Sequence, residues 1–198
     1  MLIVTGGIAC GKSTFLEVAR RMGYNCIDAD EWFHKFRRSP EEKKFAAQMF
    51  GEKYAESGWL SEVAFVHPNW AQYQEFIDVA FIYHLATQQV VHNVNYDIVV
   101  IPDFFNRSAC RLLPKALTLT IERPNNLEAA RLRDGDRVNG LTDRIHQNQM
   151  VSELRVVNAR NVIYNNLTKS YFEKECEEWL QQHLQVASTQ HTMDIATS

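Results

Sequence analysis

Residues Gly6-Gly7-Ile8-Ala9-Cys10-Gly11-Lys12-Ser13 have the spacing G-x-x-x-x-G-K-[ST] and follow the apolar run Leu2-Ile3-Val4. This is the pattern of a loop that holds nucleotide phosphates. Glycines let consecutive backbone N–H groups converge on the α- and β-phosphates, Lys12 reaches the β- and γ-phosphates, and the Ser13 hydroxyl ligates Mg²⁺. Two carboxylates, Asp28 and Asp30, lie one residue apart in Cys26-Ile27-Asp28-Ala29-Asp30, and at the end of an extended strand they share a face. Asp30 suits the orientation or deprotonation of an attacking hydroxyl, and Asp28 suits a water in the Mg²⁺ shell. Asp30 also suits the N-cap of a helix over Glu31–Arg38. The run Ile98-Val99-Val100-Ile101 is followed shortly by Asp103, as in strands that end in a carboxylate holding Mg²⁺ indirectly. Asp103 is equally placed to cap a helix beginning near Asn106. Arg131, Arg133, Arg137 and Arg144 surround the polar turn Asp134-Gly135-Asp136. Closing such a segment over 131–145 brings guanidinium groups onto a transferring phosphoryl group and expels water. The alternative is a set of surface arginines paired with Asp134, Asp136 and Asp143.

A phosphate loop needs a strand before it and a helix after it. The sequence predicts the strand over Met1–Thr5 and the helix over Ser13–Met22, where Phe15, Leu16, Val18, Ala19 and Met22 recur at helical spacing and Gly23 supplies a stop. The helix N-terminus then points at the phosphates. Further strands are predicted over Tyr24–Asp28, Asp97–Pro102, Ala116–Ile121 and Asn161–Tyr164. Strands alternating with helical patterns argue for a five-stranded parallel sheet covered by helices. The stretch 31–94 is too long for a simple crossover and carries Trp32, Phe33, Phe36, Trp59, Trp70, Phe76 and Phe81. It is expected to form an inserted helical lobe over the strand ends, where open parallel sheets bind ligands. Its aromatics are expected to build core rather than a stacking platform. The tail 185–198 is polar and weakly patterned and is expected to fray.

The chain has 198 residues, 45% of them hydrophobic, which suffices for one compact domain but not comfortably for two. Twenty-one Lys and Arg against 24 Asp and Glu give a formal charge of −3, so no global basic field draws it to nucleic acid or an anionic membrane. No apolar run approaches the roughly 20 residues of a membrane span. The first residues read as strand and phosphate loop rather than as a signal segment, and the cytoplasm is the expected compartment. Cys10, Cys26, Cys110 and Cys176 are scattered without metal-finger spacing and are expected to be reduced thiols. Modification of Cys10 would crowd the phosphates. His67, His84, His92 and His146 likewise lack ligand spacing.

The motifs together resemble the dephospho-CoA kinases, which are P-loop kinases of the nucleoside-monophosphate-kinase type. The likeness spans most of the chain and is strongest at Thr5–Thr14, at Gly23 and at Ile27-Asp28-Ala29-Asp30, where Asp30 is similar to the family's catalytic carboxylate. It implies the P-loop NTPase fold, a three-layer α/β/α sandwich with an inserted acceptor lobe and an arginine lid. It further implies ATP and Mg²⁺ as cofactors and a small nucleotide-like acceptor as partner. Arg133-Asp134 resembles the opening of the lid, Gln149 and Arg155 fall near the family's following helix, and Val162-Ile163-Tyr164-Asn165-Asn166 is similar to its segment near the adenine. Four departures gather where the acceptor would sit. His34 replaces an arginine four residues after the catalytic aspartate, and Pro102-Asp103-Phe104-Phe105-Asn106 replaces a proline-leucine-leucine-x-glutamate segment. An arginine expected near Glu62 has become acidic, and the family's His-Pro pair is missing, His67-Pro68 coming too early to substitute.

The expected machinery is therefore Lys12, Asp30, Arg133 and Arg137 for catalysis, with Gly6–Thr14, Arg155 and Asn165 around the nucleotide and Ser13, Asp28 and Asp103 around the metal. The acceptor implied by the resemblance is dephospho-CoA, phosphorylated on its ribose 3′-hydroxyl. A deoxynucleoside monophosphate kinase of the bacteriophage type would keep the loop, aspartate and lid while discarding pantetheine contacts. A nucleotide-dependent regulatory module would bind without rapid transfer. A polynucleotide 5′-kinase is disfavoured by the negative charge and the lack of a basic stripe.

Overall fold

The computed structural model describes residues 1–52, 67–113, 116–126, 128, 130 and 161–195. Five strands, β1 (Leu2–Gly6), β2 (Cys26–Asp28), β3 (Ile98–Val100), β4 (Leu117–Glu122) and β5 (Val162–Tyr164), form one sheet in the order β2-β3-β1-β4-β5. Every pairing is parallel: Val4 lies beside Val100 on one flank and Leu119 on the other, and Asp28 lies beside Val100. The central strands are near-continuous apolar runs because both faces of a parallel sheet are covered.

Alternation along the strands divides the core. Leu2, Val4, Ile98, Val100, Leu119 and Ile121 face α1 (Lys12–Arg21) and α6 (Lys169–Ile195), packing on Phe15, Val18, Phe172, Cys176 and Leu180. Ile3, Val99 and Ile101 face the other way, onto Phe81 of α4 (Trp70–His92) and Ala109 of α5 (Ser108–Leu112). This is the expected three-layer sandwich. A third cluster joins α2 (Ala29–Phe36), α3 (Pro40–Phe50) and the first turns of α4 through Ala46, Phe50, Tyr73 and Ile77, with Phe45, Phe76 and Trp70 against them. Phe45 and Phe76 stack with centroids 3.9 Å apart. Among the described residues, the aromatics of this stretch, Trp32, Phe33, Phe36, Trp70, Phe76 and Phe81, thus pack in or against the core, as expected. Glu42 is buried there and accepts a short hydrogen bond from the Tyr73 hydroxyl.

Several boundaries differ from expectation for local reasons. β3 ends at Val100 rather than at Pro102: the Ile101 N–H still reaches Val4 O, but proline has none to donate. β2 starts at Cys26 because Asn25 is tied to the loop before β3, its N–H donating to the Asp97 carboxylate at 2.9 Å. The last helix continues through Gln185 to Ile195, so the backbone of that part of the tail is helical rather than frayed; propagating an existing helix costs far less than nucleating one. Residues 53–66 of the lobe, with Trp59 and Glu62, lie outside the described residues. So do the expected lid 131–145 with Arg131, Arg133, Arg137 and Arg144, and also His146, Gln149 and Arg155. Among the described residues no helix is long and apolar enough to cross a membrane.

Candidate active site

The loop from Gly6 to Gly11 leaves the C-terminal end of β1 and turns into α1. Its geometry depends on close approaches. Gly11 has φ 109°, and a Cβ there would lie 2.6 Å from Asn165 Nδ2 and 2.9 Å from the Phe172 ring; a Cβ on Gly6 would meet Ile121 O at 2.3 Å. Ala9 also takes a left-handed conformation, φ 54°. Two asparagines from neighbouring loops brace the turn: Asn165 Nδ2 donates to Cys10 O at 3.0 Å, and Asn126 Nδ2 donates to Ile8 O at 3.2 Å. Asn165 was expected beside the adenine; its side chain is buried and holds the loop. Asn126 carries no signal of its own in the sequence beyond its place in a turn following the strand next to β1.

Lys12 Nζ donates back to Gly6 O at 3.1 Å and Gly7 O at 2.6 Å, so the cation sits across the mouth of its own loop. α1 begins at Gly11 without a side-chain cap and without an acidic residue in its first turn. Its leading N–H groups and the positive end of its dipole are thereby left to an anion, the arrangement that phosphates occupy. Ser13 is exposed in that first turn.

Asp28 closes β2 and caps α2, its Oδ1 accepting from the N–H groups of Asp30 at 2.7 Å and Glu31 at 3.4 Å. The cap is therefore Asp28, and the expectation of Asp30 as N-cap is corrected: the chain leaves the strand at Asp28 and Asp30 is already helical. That frees the exposed Asp30 carboxylate for an acceptor. Burial raises the Asp28 carboxyl above the usual carboxylate range, and the neighbouring Asp30 charge adds to the rise.

Asp103 follows β3, beside β1, in a left-handed conformation with φ 55°. It makes no side-chain cap to the 3-10 turn Phe104–Asn106 that follows, and α5 starts only at Ser108, so the capping alternative is corrected. The turn is pinned to the phosphate-loop strand by Phe104 N–H donating to Thr5 Oγ1 at 3.2 Å. The oxygens of Ser13, Asp28 and Asp103 are hard donors of the kind Mg²⁺ takes beside phosphates and waters. Among the described residues no cluster of three or more His, Cys, Asp or Glu could hold a metal by itself.

Among the described residues, Cys26, Cys176 and His84 stay outside this chemistry. Burial pushes Cys26 up to about 11 and Cys176 up to about 12, away from thiolate reactivity. Cys10 is 1% exposed. His84 packs against Trp32, and burial lowers its pKa. One further pair beside the site carries no signal in the sequence: a buried ion pair between Asp78 of α4 and Arg107.

A model of the dephospho-CoA kinase family matches residues 1–170. A dephospho-CoA kinase of Coxiella burnetii is 27% identical over 94% of this chain and 98% of its own. Among solved structures, TT1252 from Thermus thermophilus superposes with a TM-score of 0.69 at 20% identity, over 92% of this chain and 96% of that one. The dephospho-CoA kinase from Campylobacter jejuni does so with a TM-score of 0.55 at 22% identity, over 91% and 95%. With a strand order that sets the phosphate loop between β3 and β4 and carboxylates at the ends of β2 and β3, the chain is a P-loop kinase and belongs to the dephospho-CoA kinase family.

Proposed function

We propose that the protein transfers the γ-phosphoryl group of ATP to the 3′-hydroxyl of dephospho-CoA. The observation that carries this reading is the uncapped start of α1 beneath a loop braced by Asn126 and Asn165, with the exposed carboxylate of Asp30 in the first turn of α2, just past β2. Lys12 exchanges the Gly6 and Gly7 carbonyls for the β- and γ-phosphates. Asp30 orients the acceptor hydroxyl and takes its proton as the bond to phosphorus forms. Ser13, Asp28 and Asp103 are the residues that would hold Mg²⁺, Ser13 through its hydroxyl and the two carboxylates through water, and the metal would offset charge on the phosphate oxygens. Arg133 and Arg137 bring positive charge to the transferring group, Arg155 borders the adenine side, and Asn165 keeps the loop in shape through the Cys10 carbonyl. The partner is a small nucleotide-like molecule rather than nucleic acid or membrane, and the compartment is the cytoplasm.

The test is ADP formation from ATP and Mg²⁺ with dephospho-CoA and the four deoxynucleoside monophosphates, using Lys12→Ala as the blank. Turnover on dephospho-CoA that vanishes in the blank supports the reading. Turnover on a deoxynucleotide instead would replace the acceptor. Tight ATP binding without transfer to any of them would replace the activity.

A further inference from the structure

Asp78 lies in the middle of α4, 2% exposed at its side chain, and Arg107 sits between the 3-10 turn and α5, 13% exposed. One carboxylate oxygen, Oδ1, accepts from Arg107 Nε at 2.7 Å and from Nη2. The other, Oδ2, accepts from the Ala109 N–H at 3.4 Å, at the start of α5. Arg107 Nη1 in turn reaches Pro102 O at 3.5 Å. The guanidinium therefore spans the two ends of the segment 102–107, while Phe104 N–H fastens its middle to Thr5. On the far side, the same helix α4 packs Tyr73 and Ile77 into the acceptor-lobe cluster and Phe81 onto the sheet.

We propose that Asp78 and Arg107 form a strut that holds the turn carrying Asp103 in place and couples it to the acceptor lobe. The strut is a positioning device, since neither side chain needs to touch substrate. The turn beside the phosphate loop could otherwise shift as the lobe moves, because a left-handed residue followed by a short 3-10 turn has few backbone bonds of its own. A planar fork suits this task better than a point charge: Nε and Nη2 engage Asp78 while Nη1, on the other arm, reaches the Pro102 carbonyl, a spread of donors that one ammonium nitrogen does not have.

This inference rests on reading Asp103 as a metal-side carboxylate. Its test needs ATP and Mg²⁺ but no acceptor. Arg107→Lys keeps the buried charge opposite Asp78 and loses the fork. The Mg²⁺ concentration giving half-maximal ATP affinity should rise roughly tenfold in this variant, and Asp103→Asn should do the same, the scale on which losing an outer-shell partner weakens a metal site. With dephospho-CoA added, kcat should fall by a similar factor while the acceptor KM stays within about twofold. Unchanged Mg²⁺ dependence in Arg107→Lys beside a changed Asp103→Asn overturns the strut alone. Unchanged dependence in both overturns the metal reading as well. Should Arg107→Lys not fold, amide hydrogen exchange on the wild-type chain decides: the Phe104 and Ala109 N–H groups should slow roughly tenfold when Mg²⁺ joins the ATP complex, and no change there overturns the proposal.

Discussion

Burial raises the Asp28 carboxyl, the Asp30 charge pushes the same way, and the hydrogen bonds from the Asp30 and Glu31 N–H groups only partly oppose them. The charged form of Asp28 thus costs the free protein stability. Linkage gives the sign: with the folded value above the unfolded one near 3.9, the penalty is absent at lower pH, grows as pH rises through the carboxylate range and is constant above the folded value. Asn caps helices as well as Asp does. Asp28→Asn should therefore unfold at higher denaturant than the parent at pH 7, with the gap closing toward pH 4, while Mg²⁺-dependent phosphoryl transfer weakens. A gap that did not depend on pH would contradict the assignment of the penalty to this carboxylate. Lys12 offers the opposite case. Its Nζ donates to part-buried backbone carbonyls of its own loop and belongs to none of the apolar clusters, so Lys12→Ala should leave the melting temperature within a few degrees. Transfer should drop by about 10³-fold or more, the scale of losing a preorganised charge on a phosphoryl group.

At the level of elements, the phosphate loop is shaped by contacts from outside it. Gly11→Ala should cost about 1–3 kcal/mol, because the residue is held at positive φ with Asn165 and Phe172 too close for a Cβ. Nucleotide affinity should fall with it, since Asn165 can no longer reach the Cys10 carbonyl; equilibrium unfolding and ATP titration of the variant would measure both. An unperturbed affinity would mean that the brace is dispensable. The loop itself was legible in the sequence because its glycines and lysine are contiguous, and the five strands because buried parallel strands are contiguous apolar runs. No strand bound moved by more than two residues, and the shifts have local causes such as the missing N–H of Pro102. What was not legible is what crosses between segments. Asn126 reaches the loop from 118 residues away and Asn165 from 155, and no periodicity records such bonds. Asp78 is an acid within an otherwise apolar helix face, and only its partner, outside the helix, shows why burial is tolerated. The choice between Asp28 and Asp30 as cap turned on where β2 ends, the least readable property of a short strand.

At the scale of the molecule, three apolar clusters among the described residues stabilise the protein, and Trp32 joins two of them. Half-buried on α2, it packs against both the sheet-side cluster around Phe81 and the lobe cluster around Tyr73. Its ring stacks on Phe36 with centroids 4.7 Å apart and planes 13° apart, and lies 5.1 Å from Phe81. The lobe has a core of its own, yet α2 also carries Asp30, so the position of the carboxylate follows the packing of this indole. Trp32→Ala should destabilise the protein by about 2–3 kcal/mol, somewhat below the figure for a fully buried tryptophan because the ring is partly exposed. The loss should not be uniform. Amide hydrogen exchange should show α3 and the first turns of α4 losing protection well before β1 and β4, whose N–H groups lie in the sheet core and report global unfolding. ATP affinity should stay near that of the parent, since the phosphate loop belongs to the other face of the sheet, while kcat/KM for the acceptor falls. Trp32→Phe should restore most of both properties. Equal loss of protection in lobe and sheet would instead mean that the two unfold as one unit and that Trp32 is ordinary core.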